Sequence, residues 1–188
     1  MKKILVLFLM FLFVNCSAFG FNMTKNKPIT HLDGTIEYDL SKQSQSKASK
    51  LLYKFVLKEL GKTPKEAQDF ANITPKTVSA FETDLNADGK NEIIGVVFST
   101  YYLSTEGFKL FILKQQNNMT HVDLSIIYFL PSEKIYINNI TINDYKEIEA
   151  KCYNNSYRLL GKFVKSTIYL FFQNNGYQYN YLKMKSNT

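Results

Sequence analysis

The segment of the chain best suited to chemistry begins at Asp84 and reads Asp-Leu-Asn-Ala-Asp-Gly-Lys-Asn-Glu. Side-chain oxygens recur at every second position, in Asp84, Asn86 and Asp88, and Glu92 supplies a carboxylate at the ninth position. Gly89 follows the third oxygen donor and permits a tight turn there. Because Ca²⁺ prefers several oxygen ligands on a tightly turned backbone, the segment predicts a calcium site.

Strand-forming apolar residues lie on both sides of this segment. In that context it resembles the calcium loops of FG-GAP and VCBS-type repeats and, more distantly, an EF-hand loop, over residues 81–98. In those loops the first, third, fifth and ninth side chains bind the metal, together with the seventh backbone carbonyl. The resemblance therefore implies that Lys90 contributes only its carbonyl oxygen. The side chains it assigns to the metal are those of Asp84, Asn86, Asp88 and Glu92.

The resemblance is confined to the loop. A propeller of such repeats needs several copies, and this chain has one; the twelfth position, where an EF-hand carries Glu, is Gly95. Three carboxylates within nine residues repel one another without a cation, which favours a metal over the alternative of an ordinary Asp-Gly hairpin turn. Since all the donors come from one local loop, the predicted role of the ion is structural.

A second candidate site pairs His121 with Asp123, two positions apart on a predicted strand. Residues i and i+2 share one face of a strand, so the carboxylate could orient the imidazole as a general base. His31 and Asp33 repeat the spacing. The sequence contains neither Gly-x-Ser-x-Gly nor His-Glu-x-x-His, the patterns of common hydrolases. The alternative is that these are ordinary surface histidines.

The N-terminal residues match an export signal. Lys2 and Lys3 precede an apolar run over residues 4–14, which is too short to span a membrane. Small residues then fit cleavage after Ala18, so residues 1–18 are predicted to be a signal peptide. The mature protein is expected in the periplasm or secreted, without a transmembrane segment.

The two cysteines have different predicted fates. Cys16 is removed with the signal peptide or, alternatively, is lipidated after a lipoprotein signal over residues 1–15, which would anchor the protein to the outer membrane. Cys152 shares a predicted strand face with Ile148 and Ala150, which favours a buried thiol over a nucleophile. No intramolecular disulfide is then expected in the mature chain.

The net charge indicates which partners suit the surface. The chain has 23 basic and 16 acidic side chains, a net charge of +7. A basic surface favours acidic partners, namely an acidic protein, an acidic glycan or an anionic lipid. Nucleic acid is not expected as a partner of an exported protein.

The pattern of apolar residues predicts an α+β fold. Residues 19–41 are expected to form an extended leader and residues 42–188 a single domain. Apolar residues at helical spacing over 51–60, and a capping pattern over 63–66, predict one or two helices near the N-terminus. From residue 78 the pattern changes to strands, which predicts a mostly antiparallel sheet of about 6–8 strands beneath the helices.

The last two strands carry the clearest hairpin signal. Asn175-Gly176 suits a two-residue loop, because both positions of such a turn favour positive φ. A loop at those residues would pair Phe172 with Tyr179 and Leu170 with Tyr181.

Three functions are consistent with these features. The leading hypothesis is a non-enzymatic, exported binding module of a bacterial envelope with one structural calcium ion. The second is a periplasmic inhibitor or immunity protein that acts on a partner enzyme. The third is a small hydrolase that uses His121 and Asp123, or the metal.

Overall fold

The computed structural model describes residues 27–41, 46–105, 107–114, 120–121, 128–130, 134–154, 164–173 and 176–180. The predicted signal peptide, the lipidation candidate Cys16 and Asp123 lie outside these residues, and so does the side chain of His121.

Within the described residues the chain forms two α-helices followed mainly by strands. The helices are α1 (Lys47–Leu60) and α2 (Pro64–Ala71). The strands are β1 (Ile29–Thr30), β2 (Ile36–Asp39), β3 (Val78–Thr83), β4 (Glu92–Val97), β5 (Leu103–Ser104), β6 (Gly107–Lys114), β7 (Thr120–His121), β8 (Tyr128–Phe129), β9 (Lys134–Ile142), β10 (Tyr145–Asn154), β11 (Val164–Gln173) and β12 (Gly176–Asn180).

The strands form two antiparallel sheets. The first sheet has the order β1-β2-β9-β10-β11-β12, and the second has the order β3-β4-β6-β5, with β7 and β8 also paired to β6. The predicted α+β class is confirmed, with the strands divided between two sheets.

The second sheet is the middle layer of three. On β4, Ile94 and Val96 join the core shared with the first sheet, whereas Ile93 and Val97 join the core beneath α1 and α2. Because both faces of this strand are covered, all six of its residues are buried. No helix among the described residues is long and apolar enough to cross a bilayer.

The two helices begin and end where local chemistry predicts. Gly61 ends α1 in the left-handed conformation, with φ of 60°, which glycine adopts at low cost. Thr63 caps α2 and forms a capping box with Glu66, and Pro64 occupies the first helical position.

Residues 29–40 are not a leader outside the domain, contrary to the expectation for residues 19–41. Strand β2 pairs with β9, Glu37 opposite Tyr136, and the side chains of Tyr38 and Leu40 are buried in the core between the sheets. The segment is short and its partner strand lies about a hundred residues away, so local periodicity gives little sign of the pairing.

The pairing of β11 with β12 differs by two residues from the predicted register. Phe172 pairs with Tyr177, and Leu170 pairs with Tyr179. Because side chains alternate with a period of two, a shift of two residues leaves Leu170 on its predicted face. Leu170 is accordingly fully buried.

The predicted burial of Cys152 is confirmed. Its side chain is 3 % exposed and joins Ile148 and Ala150 in the core between the sheets. The thiol therefore contributes to packing, as a small apolar side chain would.

Candidate metal site

The candidate loop, residues 84–91, connects β3 to β4 at one end of the second sheet. Thr83 and Glu92 are the last paired residues before the loop leaves the ladder. The loop turns tightly because Ala87 and Gly89 adopt positive φ values of 58° and 78°. All five predicted ligand positions, Asp84, Asn86, Asp88, Lys90 and Glu92, therefore belong to one hairpin.

Backbone N–H groups of the loop bind the side-chain oxygens of Asp84. Its Oδ1 accepts from Asn86 N at 3.3 Å, and its Oδ2 accepts from Gly89 N at 3.0 Å. The carboxylate is therefore held at the centre of the turn, where each oxygen has a second acceptor direction for another partner.

Asn86 and Asp88 continue the same pattern. Asn86 Oδ1 accepts from Asp88 N at 3.3 Å, and Asp88 Oδ1 accepts from Lys90 N at 2.8 Å. Asn86 Nδ2 also donates to Asp88 Oδ2 at 3.1 Å. The Lys90 backbone bond is the main reason that the pKa of Asp88 lies below its ordinary value, with the amide of Asn86 second.

Glu92 is the buried carboxylate of the site. It is 3 % exposed, and its Oε2 accepts from the backbone N–H of Leu85 at 2.9 Å. Burial is the largest cause that raises the pKa of Glu92, and the negative charges of Asp88 and Asp84 raise it further. The three carboxylates are therefore close enough to repel one another.

The loop also binds the first sheet. Leu85 is fully buried, and its carbonyl oxygen accepts from Lys146 N at 2.7 Å. Asn86 Nδ2 donates to the hydroxyl of Tyr145 at 3.3 Å. These two bonds connect the β3–β4 hairpin to the start of β10, which lies in the other sheet.

A cation lies beside this junction. Tyr145 stacks on Phe172 with ring centroids 3.8 Å apart, and Lys114 Nζ lies 4.8 Å and 5.0 Å from the two centroids. The charge of Lys114 also contributes to lowering the pKa of Asp88. An ammonium group near the loop reduces its negative potential and competes with a bound metal.

The oxygen donors of the loop are of the type that Ca²⁺ prefers. Their side chains, however, are not drawn together around a single point. Among the described residues, no three His, Cys, Asp or Glu side chains are grouped closely enough to hold a metal ion. Binding of an ion would therefore require the carboxylates of the loop to move closer together. The loop offers carboxylate and amide oxygens on a backbone already turned by hydrogen bonds, which matches the preference of a hard cation.

Of the two histidine candidates, the structure describes the side chains of His31 and Asp33 only. His31 Nε2 lies 3.3 Å from Glu37 Oε2 on the surface, while Asp33 Oδ1 accepts from Thr35 N. For His121 the structure describes the backbone alone, paired with Leu113, and Asp123 lies outside the described residues.

Sequence reasoning did not identify the neighbours Lys114 and Tyr145, because no local pattern connects them to a loop so distant in sequence. No protein family, no curated protein and no solved structure matches the chain.

Proposed function

We propose that this protein is an exported, non-enzymatic binding module of a bacterial envelope that holds one structural calcium ion in the loop of residues 84–91, together with Glu92. The observation that supports the ion best is the carboxylate of Glu92, which is 3 % exposed and lies within the field of two other carboxylates. A divalent cation relieves both the repulsion and the cost of burying that charge.

The position of the loop explains why the ion would serve stability. Leu85 and Asn86 bind Lys146 and Tyr145 of the first sheet, so a metal that rigidifies the loop also fixes the contact between the two sheets. An ion that binds only the folded state stabilises it by RT ln(1 + [L]/Kd), about 2.7 kcal/mol at a hundredfold excess over Kd.

The test of the calcium site compares melting temperatures in calcium and in chelator. Wild type should melt higher in calcium, and Asp88→Ala should lose that difference. In chelator the variant should remain close to wild type, because one source of repulsion is removed. Asp33→Ala is the matched control, since Asp33 Oδ1 accepts a backbone bond from Thr35 N as Asp88 does from Lys90 N, and it lies outside the loop.

Coincident wild-type curves in calcium and chelator would mean that the loop is an ordinary turn. An equal calcium response in wild type and Asp88→Ala would place the ion elsewhere. The binding role is tested separately, by pull-down from envelope extract with and without chelator. A partner retained in calcium and released by chelator connects the ion to recognition, whereas the absence of any retained partner counts against the binding role.

A further inference from the structure

Lys114 is the last residue of β6 and lies beside the start of β4. Ile94 of β4 pairs with Ile112 of β6. Two residues further along the same register, Lys114 lies opposite Glu92. Side chains alternate along a strand, so both residues point, like the two isoleucines, toward the core between the sheets. A lysine and the buried carboxylate of the candidate metal site therefore occupy neighbouring positions on one face of the second sheet.

The ammonium group of Lys114 lies on a pair of aromatic rings. Its Nζ is 4.8 Å from the ring centroid of Tyr145 and 5.0 Å from that of Phe172. Within the part of the chain that the structure describes, Lys114 forms no ion pair at 4.0 Å or less. Aromatic faces attract an ammonium group but do not cancel its charge. The positive charge is therefore held near the loop without being neutralised by one carboxylate.

Tyr145 connects this ammonium group to the loop. The hydroxyl of Tyr145 accepts from Asn86 Nδ2 at 3.3 Å, while its ring contacts Lys114. The ammonium group and a predicted ligand residue therefore contact the same side chain. The field of the charge also reaches a carboxylate of the loop. Lys114 is among the causes that lower the pKa of Asp88, after the hydrogen bonds from the Lys90 backbone and the Asn86 side chain.

We propose that Lys114 is the counter-ion of the metal-free loop and that it lowers the affinity of the loop for calcium. This inference rests on the calcium site proposed above. Without an ion, the ammonium group balances part of the negative charge of the loop, so the hairpin folds before calcium binds. A bound Ca²⁺ is repelled by the same ammonium group, which weakens binding.

The charges of the site indicate how strongly calcium should bind. Asp84, Asp88 and Glu92 supply three negative charges, and Lys114 supplies one positive charge, which leaves two for the ion to neutralise. Calcium sites of extracellular modules have Kd values of about 10⁻⁴–10⁻³ M, and fewer net charges give weaker sites. Wild type should therefore bind calcium in this weak range, so that the loop fills and empties as the calcium concentration changes.

Calorimetric titration with calcium and with lanthanum tests the inference. At low ionic strength, Lys114→Gln should bind Ca²⁺ about fivefold more tightly than wild type, and the gain should shrink as salt is raised. For La³⁺ the gain should be about tenfold, because electrostatic repulsion scales with the charge of the ion. A change in the shape of the loop would not produce this dependence on ionic charge. Lys114→Arg keeps the positive charge and should bind both ions like wild type.

Lys109 provides a matched control on the same strand. Its Nζ lies 4.9 Å from the ring centroid of Phe111, so Lys109→Gln removes the same charge and the same kind of ring contact. Phe111 belongs to the core beneath the helices, and five residues of β6 separate the two lysines by about 17 Å. Lys109→Gln should therefore leave the affinity for both ions unchanged.

Thermal unfolding in chelator tests the counter-ion without any metal. Lys114→Gln should melt at a lower temperature than Lys109→Gln, because the repulsion among the carboxylates of the loop is no longer balanced. Adding Glu92→Gln to both variants should reduce the difference, since one of those carboxylates is then uncharged. Equal melting temperatures of the two single variants in chelator would contradict the counter-ion role.

The titrations distinguish failure of this inference from failure of the calcium site. If wild type binds calcium and Lys114→Gln binds it no more tightly, the inference fails and the site stands. An equal gain in Lys109→Gln would also overturn it, because the effect would then be one of net charge. If neither wild type nor Lys114→Gln binds either ion, the calcium site fails and this inference fails with it. Binding by Lys114→Gln alone would support the counter-ion role.

Discussion

Glu92 Oε2 accepts a hydrogen bond from Leu85 N at 2.9 Å, so the first residue of β4 holds the second residue of the loop. A glutamine at this position can accept the same bond without carrying a buried charge. In chelator at neutral pH we therefore expect Glu92→Gln to keep or raise the free energy of unfolding, while in calcium it should lose the stabilisation shown by wild type. Urea unfolding of both proteins in both buffers measures this, with Glu82→Gln on β3 as the control. A large loss of stability in chelator would show that the charge itself holds the loop.

The buried charge of Glu92 should also make the free energy of unfolding depend on pH. Burial, followed by the charges of Asp88 and Asp84, raises the pKa of Glu92 above its ordinary value of 4.5. The folded state thus favours the protonated acid, and this contribution is complete below pH 4.5 and is lost as pH rises through the folded pKa. In chelator, wild type should therefore lose stability relative to Glu92→Gln above that pH. A constant difference across the range would contradict the burial of the charge.

Gly95 is expected to be intolerant of any side chain. A Cβ there would lie 2.5 Å from Ala80 Cβ, 2.6 Å from the carbonyl oxygen of Ser79 and 2.7 Å from Leu52 Cδ2. Because one of these contacts is backbone, rotation of a neighbouring side chain cannot relieve it. Gly95→Ala should lower the free energy of unfolding by about 1–3 kcal/mol. Thermal and urea unfolding test this. Gly61 has a positive φ but open space around an added Cβ. Gly61→Ala therefore measures the cost of backbone strain alone, for comparison with the steric clash expected in Gly95→Ala.

Removing the hydroxyl of Tyr102 should not harm the fold. This oxygen is buried and, among the described residues, is the side-chain atom that finds no hydrogen-bond partner. An unpartnered buried hydroxyl costs about 1–3 kcal/mol, so Tyr102→Phe should leave the free energy of unfolding unchanged or raise it. Tyr38→Phe is the opposite case, because the Tyr38 hydroxyl is hydrogen-bonded to the side chain of Thr83. This variant should lower the free energy of unfolding by about 1 kcal/mol. Similar losses in both variants would indicate a partner for Tyr102.

The features that sequence predicted correctly are those whose causes are local. The helix cap at Thr63 depends on residues three positions apart, and the two strands on either side of residues 84–91 follow from the apolar runs that flank the loop. The burial of Cys152 follows from strand alternation alone. In each case the neighbours that decide the structure are also neighbours in the sequence.

The features that were missed depend on distant partners. Both Asn174-Asn175 and Asn175-Gly176 suit a two-residue turn, so turn chemistry does not distinguish the two registers. The contact of Asn86 with Tyr145 joins residues 59 positions apart. The short strand β2 is recognisable only once its partner β9 is in place.

The hydrogen bonds made by the first turn of α1 have a consequence for how the protein aggregates. Ser49 Oγ accepts from Ala80 N at 3.0 Å, and Ser46 Oγ donates to Ala80 O at 2.9 Å, so the start of the helix occupies the outer backbone groups of Ala80, on the border strand β3 of the second sheet. An uncovered border strand is a template for intermolecular pairing. Detachment of α1 alone would open that template while the core between the sheets is intact. Aggregation of this protein should therefore begin with release of the helix, before the strands unfold.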